Sequence, residues 1–111
     1  EARNLMMFQG HMIFDLRPPI GVDKGTAFQQ LVERHQLDAA VYLGDDTTDL
    51  DAMRMARDLR ERGLCYAVGL GVVSDYMPPV LPDHADAMLD GISGVEAFLE
   101  WLLIAVSASS I

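Results

Sequence analysis

Cysteine is almost absent from this sequence of 111 residues, which contains one, Cys65. A single cysteine excludes a framework of intrachain disulfides, and a reducing compartment such as the cytoplasm suits such a chain. Cys65 begins the apolar run 65–68. We therefore expect a buried strand residue at this position rather than a reactive nucleophile.

Positive charge is also scarce, because Lys and Arg together number 8 against 17 acidic residues and the formal net charge is −9. So acidic a chain disfavours nucleic acid and anionic membrane surfaces as partners, since both require a basic patch. Four arginines alternate with apolar and acidic residues along one predicted helix, and we expect them to form a solvated face. They are Arg54, Arg57, Arg60 and Arg62.

Long apolar runs are missing as well. The longest, 101–106, is too short to span a bilayer, and no signal peptide is evident. Half of the residues are nevertheless hydrophobic, which is enough for a core and argues against disorder. The length suits one domain or part of a larger one. The chain begins at Glu1 without Met and soon enters a strand-like pattern, so we expect a partial or truncated product.

Short apolar runs and helical periodicities alternate along the chain. Two apolar runs, 5–8 and 11–16, flank Gln9-Gly10 and predict a β-hairpin that ends at Pro18 and Pro19. The elements predicted after it are a helix over 26–36, a strand over 39–43, a helix over 50–62, a strand over 65–70, an extended loop that includes Gly69, Gly71 and 77–82, a strand over 87–89 and a helix that opens with a capping box at 93–96.

This alternation predicts an α/β fold with a doubly wound, Rossmann-like parallel sheet. Ligands of such sheets bind at the carboxyl ends of the strands. The hairpin stands outside the alternation and is expected to belong to another unit. We therefore divide the chain into a hairpin region, 1–19, and a core region, 20–111.

Three carboxylates, Asp45, Asp46 and Asp49, follow the predicted strand that ends at Gly44. Like charges this close repel one another unless a cation or a helix N-terminus offsets them. Oxygen ligands of this kind suit Mg²⁺. The alternative is a solvated acidic turn that caps the next helix, with Thr48 as N-cap and Asp51 three residues on. The cluster alone does not decide between the two.

Two sequence blocks together resemble the haloacid dehalogenase-like phosphatase superfamily, and within it most closely the trehalose-6-phosphate phosphatases. One block is Asp-Leu-Arg-Pro at 15–18 with Gly-Val-Asp-Lys-Gly at 21–25, and the other is Gly-Asp-Asp-Thr-Thr-Asp at 44–49. Ala-Asp at 85–86, Gly-Val at 94–95 and Phe-Leu at 98–99 also fit the pattern. The resemblance runs from about residue 10 to near the end of the chain.

The resemblance implies a role for each matched residue. Lys24 would steady the nucleophile and the phosphate of the substrate. Asp45 would ligate Mg²⁺ directly, with Asp46 and Asp49 orienting water or neighbouring groups. Asp15 and Arg17 match a cap segment that faces the sugar, although a salt bridge at the end of the hairpin is equally consistent with the pair. The resemblance thus implies the C-terminal half of a dehalogenase-type core, preceded by a hairpin from a cap domain.

The nucleophile of these phosphatases has no counterpart here. They use the first aspartate of an Asp-x-Asp-x-Thr/Val motif at a strand end, with the second as general acid and base. The Asp-x-Asp at 49–51 lies in a helical pattern and lacks the hydroxyl residue, and Asp-Lys-Gly-Thr at 23–26 follows no strand. We therefore predict that this chain alone is inactive and depends on an N-terminal part.

Three hypotheses of function remain. The first is the C-terminal portion of a Mg²⁺-dependent phosphatase that acts on a sugar phosphate. The second is a non-catalytic module that binds a partner or a metal. The third is a self-associating fragment, because a hairpin without its sheet would expose apolar faces.

Overall fold

A computed structural model of the protein describes residues 4–8, 11–15 and 23–109. The first two elements are strands β1 (Asn4–Phe8) and β2 (His11–Asp15). They pair antiparallel, with Asn4 opposite Asp15 and Phe8 opposite His11. This confirms the predicted hairpin, whose connecting residues 9–10 lie outside the described ranges.

The remaining elements alternate between helix and strand, as predicted. In chain order they are α1 (Lys24–Arg34), β3 (Ala39–Gly44), a single 3₁₀ turn (Thr47–Asp49), α2 (Leu50–Glu61), β4 (Tyr66–Val72), α3 (Leu81–His84), β5 (Ala87–Leu89) and α4 (Gly91–Ser109).

Strands β3, β4 and β5 form one parallel sheet in that order. Gly44 at the carboxyl end of β3 lies opposite Gly71 of β4. The predicted α/β fold with a parallel sheet is therefore confirmed. The division of the chain near residue 19 and the origin of the hairpin in a cap stay predictions.

Both faces of the sheet are covered, because successive residues of a strand point to opposite sides. Tyr42 of β3 packs in the larger core with Phe28 of α1 and Met53 of α2. Its neighbour Leu43 packs in a second core with Leu102 of α4. The two helix layers give the doubly wound arrangement and leave the carboxyl ends of the strands as a separate edge.

Two predictions about glycines are wrong. Gly69 and Gly71 lie within β4, not in the extended loop, although the predicted strand over 65–70 did include Gly69. A Cβ at Gly69 would stand 2.5 Å from the sulfur of Met53, and one at Gly71 would stand 2.5 Å from the sulfur of Met88. Their missing side chains therefore make room for two methionines that pack on the sheet.

Two helix starts also differ from prediction. The sequence predicted an extended loop through residue 82 and no helix directly after it. Residues 81–84 instead form the short helix α3. The last helix begins at Gly91, which has a φ of +64°, rather than at a capping box on Ser93. The hydroxyl of Ser93 donates instead to the carbonyl of Asp90, across 3.2 Å, because the helix has already begun there.

Helix α4 is the most apolar of the long helices within the described ranges. Its residues 91–108 have a mean hydropathy of 1.5, so by length and composition alone this helix could cross a membrane. The uninterrupted apolar runs of the sequence do not reveal this length, because Glu96 and Glu100 lie within the helix. Leu102 is buried against the sheet, whereas Trp101 and Ile104 are 61% and 71% exposed. One side of the helix therefore packs against the core of the domain.

Candidate active site

A buried carboxylate lies at the carboxyl end of β3. Asp49 has no exposed surface and is the one charged side chain buried within residues 23–108. Its Oδ1 accepts hydrogen bonds from Nζ of Lys24 at 3.0 Å and from the hydroxyl of Tyr42 at 2.5 Å. Its Oδ2 accepts from the amides of Asp45 and Asp46, each at 2.9 Å. Four donors make the burial of this charge tolerable.

The turn after β3 is a capping box that begins two residues earlier than the sequence predicted. The N-cap is Asp46, whose side chain accepts from the amide of Thr47 at 2.7 Å, and Asp49 returns a bond to the amide of Asp46. Thr48 is therefore not the cap and Asp51 is not its partner. The reason is conformational: the backbone stays extended through Asp46, with φ −112° and ψ 164°, and turns only afterwards.

Two glycines allow the close approaches that build the site. A Cβ at Gly44 would lie 2.5 Å from Oδ2 of Asp49, and one at Gly25 would lie 2.8 Å from the carbonyl oxygen of Asp51. Gly25 therefore lets the start of α1 lie against the start of α2. Any larger residue at either position would push apart the groups that hold Lys24 and Asp49 together.

Lys24 is the first residue of α1, where the side chain of Asp23 caps the helix by accepting from the amide of Thr26 at 2.7 Å. The helix dipole disfavours a cation at this end, and Asp49 offsets that cost. The Lys24 side chain is 12% exposed. The sequence assigned both residues to one site, but their direct pairing across 25 positions was not predicted.

The other two acidic residues of the loop are placed differently. Asp46 is exposed and serves as the cap. Asp45 is half-buried, and no side-chain or backbone donor within residues 23–108 binds its carboxylate. The carboxylate of Asp45, a residue whose backbone amide binds Asp49, is the open part of the site.

The donor set fits Mg²⁺ in kind, since it offers carboxylate oxygens. Within the described ranges, however, no group of three or more His, Cys, Asp or Glu side chains is placed to hold a metal ion. Mg²⁺ binds through one or two carboxylates and keeps several waters, so Asp45 suits it as one ligand of a set that needs others. The Mg²⁺ site stays a prediction.

The predicted sugar-facing pair cannot be placed in this site. Asp15 ends strand β2, and nothing is described of its side chain. Arg17 lies outside the described residues. The roles assigned to both residues stay predictions.

Tyr42 is the residue of the site that sequence reasoning missed. It lies on β3, is fully buried and contacts Phe28 edge-on, with ring centroids 5.6 Å apart. Burial and the negative charge of Asp49 both raise the pKa of Tyr42, so its hydroxyl stays protonated and donates. A hydroxyl-bearing aromatic two residues before Gly44 was the available signal.

Arg60 was wrongly placed on a solvated face. It donates to Asp86 through two nitrogens, at 2.7 and 3.0 Å, and to the carbonyl of Ala67 at 2.7 Å. Asp86 also accepts from the amide of Gly69 at 2.8 Å. This Arg60–Asp86 clamp ties α2 to β4 and to the segment before β5. Arg54 and Arg62, in contrast, are 57% exposed as predicted.

Fold and site together define an α/β domain with an ammonium–carboxylate pair at the carboxyl edge of a parallel sheet. Comparison with known proteins connects this class to particular relatives. The chain is 35% identical over 105 residues to the probable trehalose-phosphate phosphatase E of Arabidopsis thaliana, which is 89% of this chain and 27% of that protein. Trehalose-phosphate phosphatase B of the same plant is 36% identical over 104 residues, 89% of this chain and 25% of that protein.

A rice protein extends the comparison to a second plant. The probable trehalose-phosphate phosphatase 4 of Oryza sativa subsp. japonica is 36% identical over 83 residues, 70% of this chain and 21% of that protein. No family model matches the chain, and no solved structure does. The chain is thus similar to trehalose-phosphate phosphatases over most of its own length, and it spans about a quarter of the length of the curated relatives it matches.

Proposed function

We propose that this chain is the C-terminal portion of a Mg²⁺-dependent, haloacid dehalogenase-type phosphatase. The complete enzyme would convert trehalose 6-phosphate into trehalose and phosphate. The observation that carries the proposal is the Lys24–Asp49 pair beside the unpartnered Asp45, at the edge of the sheet where α/β proteins bind ligands. The names of the relatives, which are trehalose-phosphate phosphatases, supply the substrate class.

Lys24 is the phosphate-binding group in this account. Its ammonium has three donors, and one of them is used on Asp49. The remaining donors can bind oxygens of a phosphate at the carboxyl edge. A compact cation is suited to the charge that develops during phosphoryl transfer, and a buried partner holds it in place beforehand.

Asp45 would hold the Mg²⁺ ion, with Asp46 and Asp49 beside it in the same loop. When bound, the ion would supply positive charge to the phosphate and to the carboxylates around it. Asp49 contributes through its hydrogen bonds: by binding the amides of Asp45 and Asp46, it fixes the loop from which Asp45 projects.

The attacking group must come from elsewhere. Covalent phosphoryl transfer requires a nucleophile and a general acid within contact distance of the phosphate, and this sequence contains no Asp-x-Asp-x-Thr/Val motif at a strand end. Since the chain spans about a quarter of its relatives, the rest of such a protein is the source we propose. Asp15 and Arg17 are the residues we propose for contacts to the sugar.

A chimera tests this function directly. This chain replaces the matching region of trehalose-phosphate phosphatase E from Arabidopsis thaliana, and phosphate release from trehalose 6-phosphate is measured with and without Mg²⁺. We expect Mg²⁺-dependent release by the chimera and none by the 111-residue chain alone. Release by the isolated chain, or a folded chimera without activity, would contradict the proposal. The second result would favour a non-catalytic binding module.

Paired substitutions in the chimera test the assignment within the loop. Asp45→Asn is expected to lower phosphate release by about a hundredfold or more, as loss of a charge-stabilising group does. Asp51→Asn is the matched control, because Asp51 pairs with Arg54 on the exposed face of α2. Equal activity of the two variants would remove Asp45 from the site.

A further inference from the structure

A buried phenol shares the acceptor that holds the lysine. The hydroxyl of Tyr42 and the ammonium of Lys24 donate to the same oxygen, Oδ1 of Asp49, at 2.5 and 3.0 Å. We infer that Tyr42 is a positioning residue for Lys24: by sharing Oδ1, its hydroxyl sets how strongly Asp49 holds the ammonium and where the ammonium lies. The inference rests on the proposed function, in which Lys24 binds the phosphate.

Core packing explains the ring of Tyr42 but not its hydroxyl. The ring is fully buried and packs edge-on against Phe28, with the planes at 79°. A phenylalanine would fill the same space and make the same ring contact. Because the core fixes the ring, the hydroxyl is a fixed point against which the carboxylate of Asp49 is oriented.

The other oxygen of Asp49 prevents the carboxylate from turning away. Oδ2 is held by the amides of Asp45 and Asp46, so rotation towards Lys24 would break two hydrogen bonds. Oδ1 therefore accepts from one neutral donor, the hydroxyl of Tyr42, and from one charged donor, the ammonium of Lys24. Without the neutral donor, Asp49 would bind the ammonium of Lys24 more strongly and draw it away from the carboxyl edge.

A single lysine makes this testable in the chain itself, since Lys24 is the one lysine in the sequence. In the 111-residue chain labelled with ¹⁵N-lysine, one ammonium signal reports on this group. Tyr42→Phe is expected to slow exchange of the Lys24 ammonium protons with water by about threefold, which corresponds to the lower range for one net hydrogen bond. Unchanged exchange would overturn the inference, whatever the variant's melting temperature.

Tyr66→Phe is the matched control, because Tyr66 begins β4 and its side chain is 67% exposed. It removes a phenol hydroxyl of the same kind and should leave the Lys24 signal unchanged. A change as large as that of Tyr42→Phe would show that the effect is unspecific and would overturn the inference.

A second measurement applies if Tyr42→Phe does not fold. Biosynthetic replacement of tyrosine by 3-fluorotyrosine makes the phenol a stronger donor without removing it. The phenol then takes a larger share of Oδ1, so exchange of the Lys24 ammonium protons should become faster, opposite to the effect of the phenylalanine. No change in exchange would overturn the inference.

Kinetics of the chimera separate this inference from the proposed function. In an active chimera, Tyr42→Phe should raise KM for trehalose 6-phosphate and lower kcat by about tenfold, since misplacement of a binding group reduces both. A purely structural role would lower stability and leave both constants unchanged. An inactive parent chimera contradicts the proposed function but leaves the exchange result standing. An active chimera that is insensitive to Tyr42→Phe overturns the inference alone.

Discussion

Two aspartates each bind a cation and at least one backbone amide, yet Asp49 and Asp86 create different local environments. Asp86 meets Arg60 through two parallel hydrogen bonds, and Arg60 uses a further bond on the carbonyl of Ala67. Both partners of this clamp are satisfied. Asp49 meets Lys24 through one bond, beside a loop in which Asp45 has no partner within residues 23–108.

This difference distinguishes a structural ion pair, Arg60–Asp86, from a candidate ligand-binding site, Lys24–Asp49. A planar guanidinium forms a fork with a carboxylate and has little left to offer a ligand, whereas an ammonium held at one point keeps donors for another anion. The Arg60–Asp86 clamp therefore joins elements. The Asp49 centre joins elements and also presents a cation at the carboxyl edge of the sheet.

The largest expected effect on stability comes from Asp49→Asn. The substitution removes the negative charge that pairs with the ammonium of Lys24. The NH₂ group of the new asparagine is itself a donor and would face groups that also donate. We expect a loss of about 3 kcal/mol in the free energy of unfolding, as for one member of a buried pair, measured by urea titration of the chain. Asp51→Asn, on the exposed face of α2, should change it by less than about 0.5 kcal/mol. A loss for Asp49→Asn no larger than that of the control would contradict the account.

A smaller effect is expected for Gly44→Ala. The new methyl group would stand 2.5 Å from Oδ2 of Asp49, which should cost about 2 kcal/mol, as overpacking does. Gly63→Ala, where nothing lies within 4 Å but φ is +71°, should cost about 1 kcal/mol from backbone strain alone.

A double-mutant cycle shows whether the crowding at Gly44 is the cause. In an Asp49→Gly background the methyl group meets neither the carboxylate nor the Cβ of residue 49, so Gly44→Ala should become nearly neutral. Full additivity of Gly44→Ala and Asp49→Gly would show that the close approach does not explain the glycine. The comparison uses urea titrations of the two single variants and the double variant.

Of the three substitutions at the two centres, Asp86→Asn is expected to have the smallest effect on stability, and this effect depends on pH. Burial alone would raise the pKa of Asp86, but the hydrogen bonds from Arg60 and the Gly69 amide and the charge of Arg60 lower it. A carboxyl group whose pKa is lowered by folding adds stability above its unfolded pKa of about 3.9. That stability is lost as the pH falls through the folded pKa.

We therefore expect Asp86→Asn to cost about 1 to 2 kcal/mol at pH 7, in the range of a hydrogen bond to a charged group. The difference from the wild-type chain should shrink as the pH falls below about 4. Urea titrations of both proteins at a series of pH values give this difference. A cost that stays constant with pH would show that the charge of Asp86 contributes nothing.

Local periodicity was sufficient to predict most of the fold. The helices α1 and α2 and the strands β3 and β5 follow from apolar spacing within each segment, which does not depend on distant residues. Gly69 and Gly71 were misplaced because a glycine in a strand is explained by what packs on it, here Met53 and Met88. Helix α3 spans four residues, too few to show a period.

Lys24, Asp45 and Asp49 of the candidate site could be named from the sequence, but Tyr42 and the contacts among these residues could not. The motifs pointed to Lys24 and to the loop at 45–49, whereas the Lys24–Asp49 bond and the role of Tyr42 depend on how α1 packs against β3. Arg60 shows the same limit. Its spacing along α2 resembles that of the exposed arginines, and the difference is set by Asp86, 26 residues further on.

The contrast between the two centres can be measured in one experiment on the chimera with Arabidopsis thaliana trehalose-phosphate phosphatase E. Phosphate release from trehalose 6-phosphate is compared for Lys24→Met and Arg60→Met, with the unfolding of each variant recorded in parallel. The account predicts that Lys24→Met loses activity by about a hundredfold or more, while Arg60→Met loses stability and keeps its activity below the melting transition. Activity that survives Lys24→Met would contradict the assignment of the Lys24–Asp49 centre as the phosphate site.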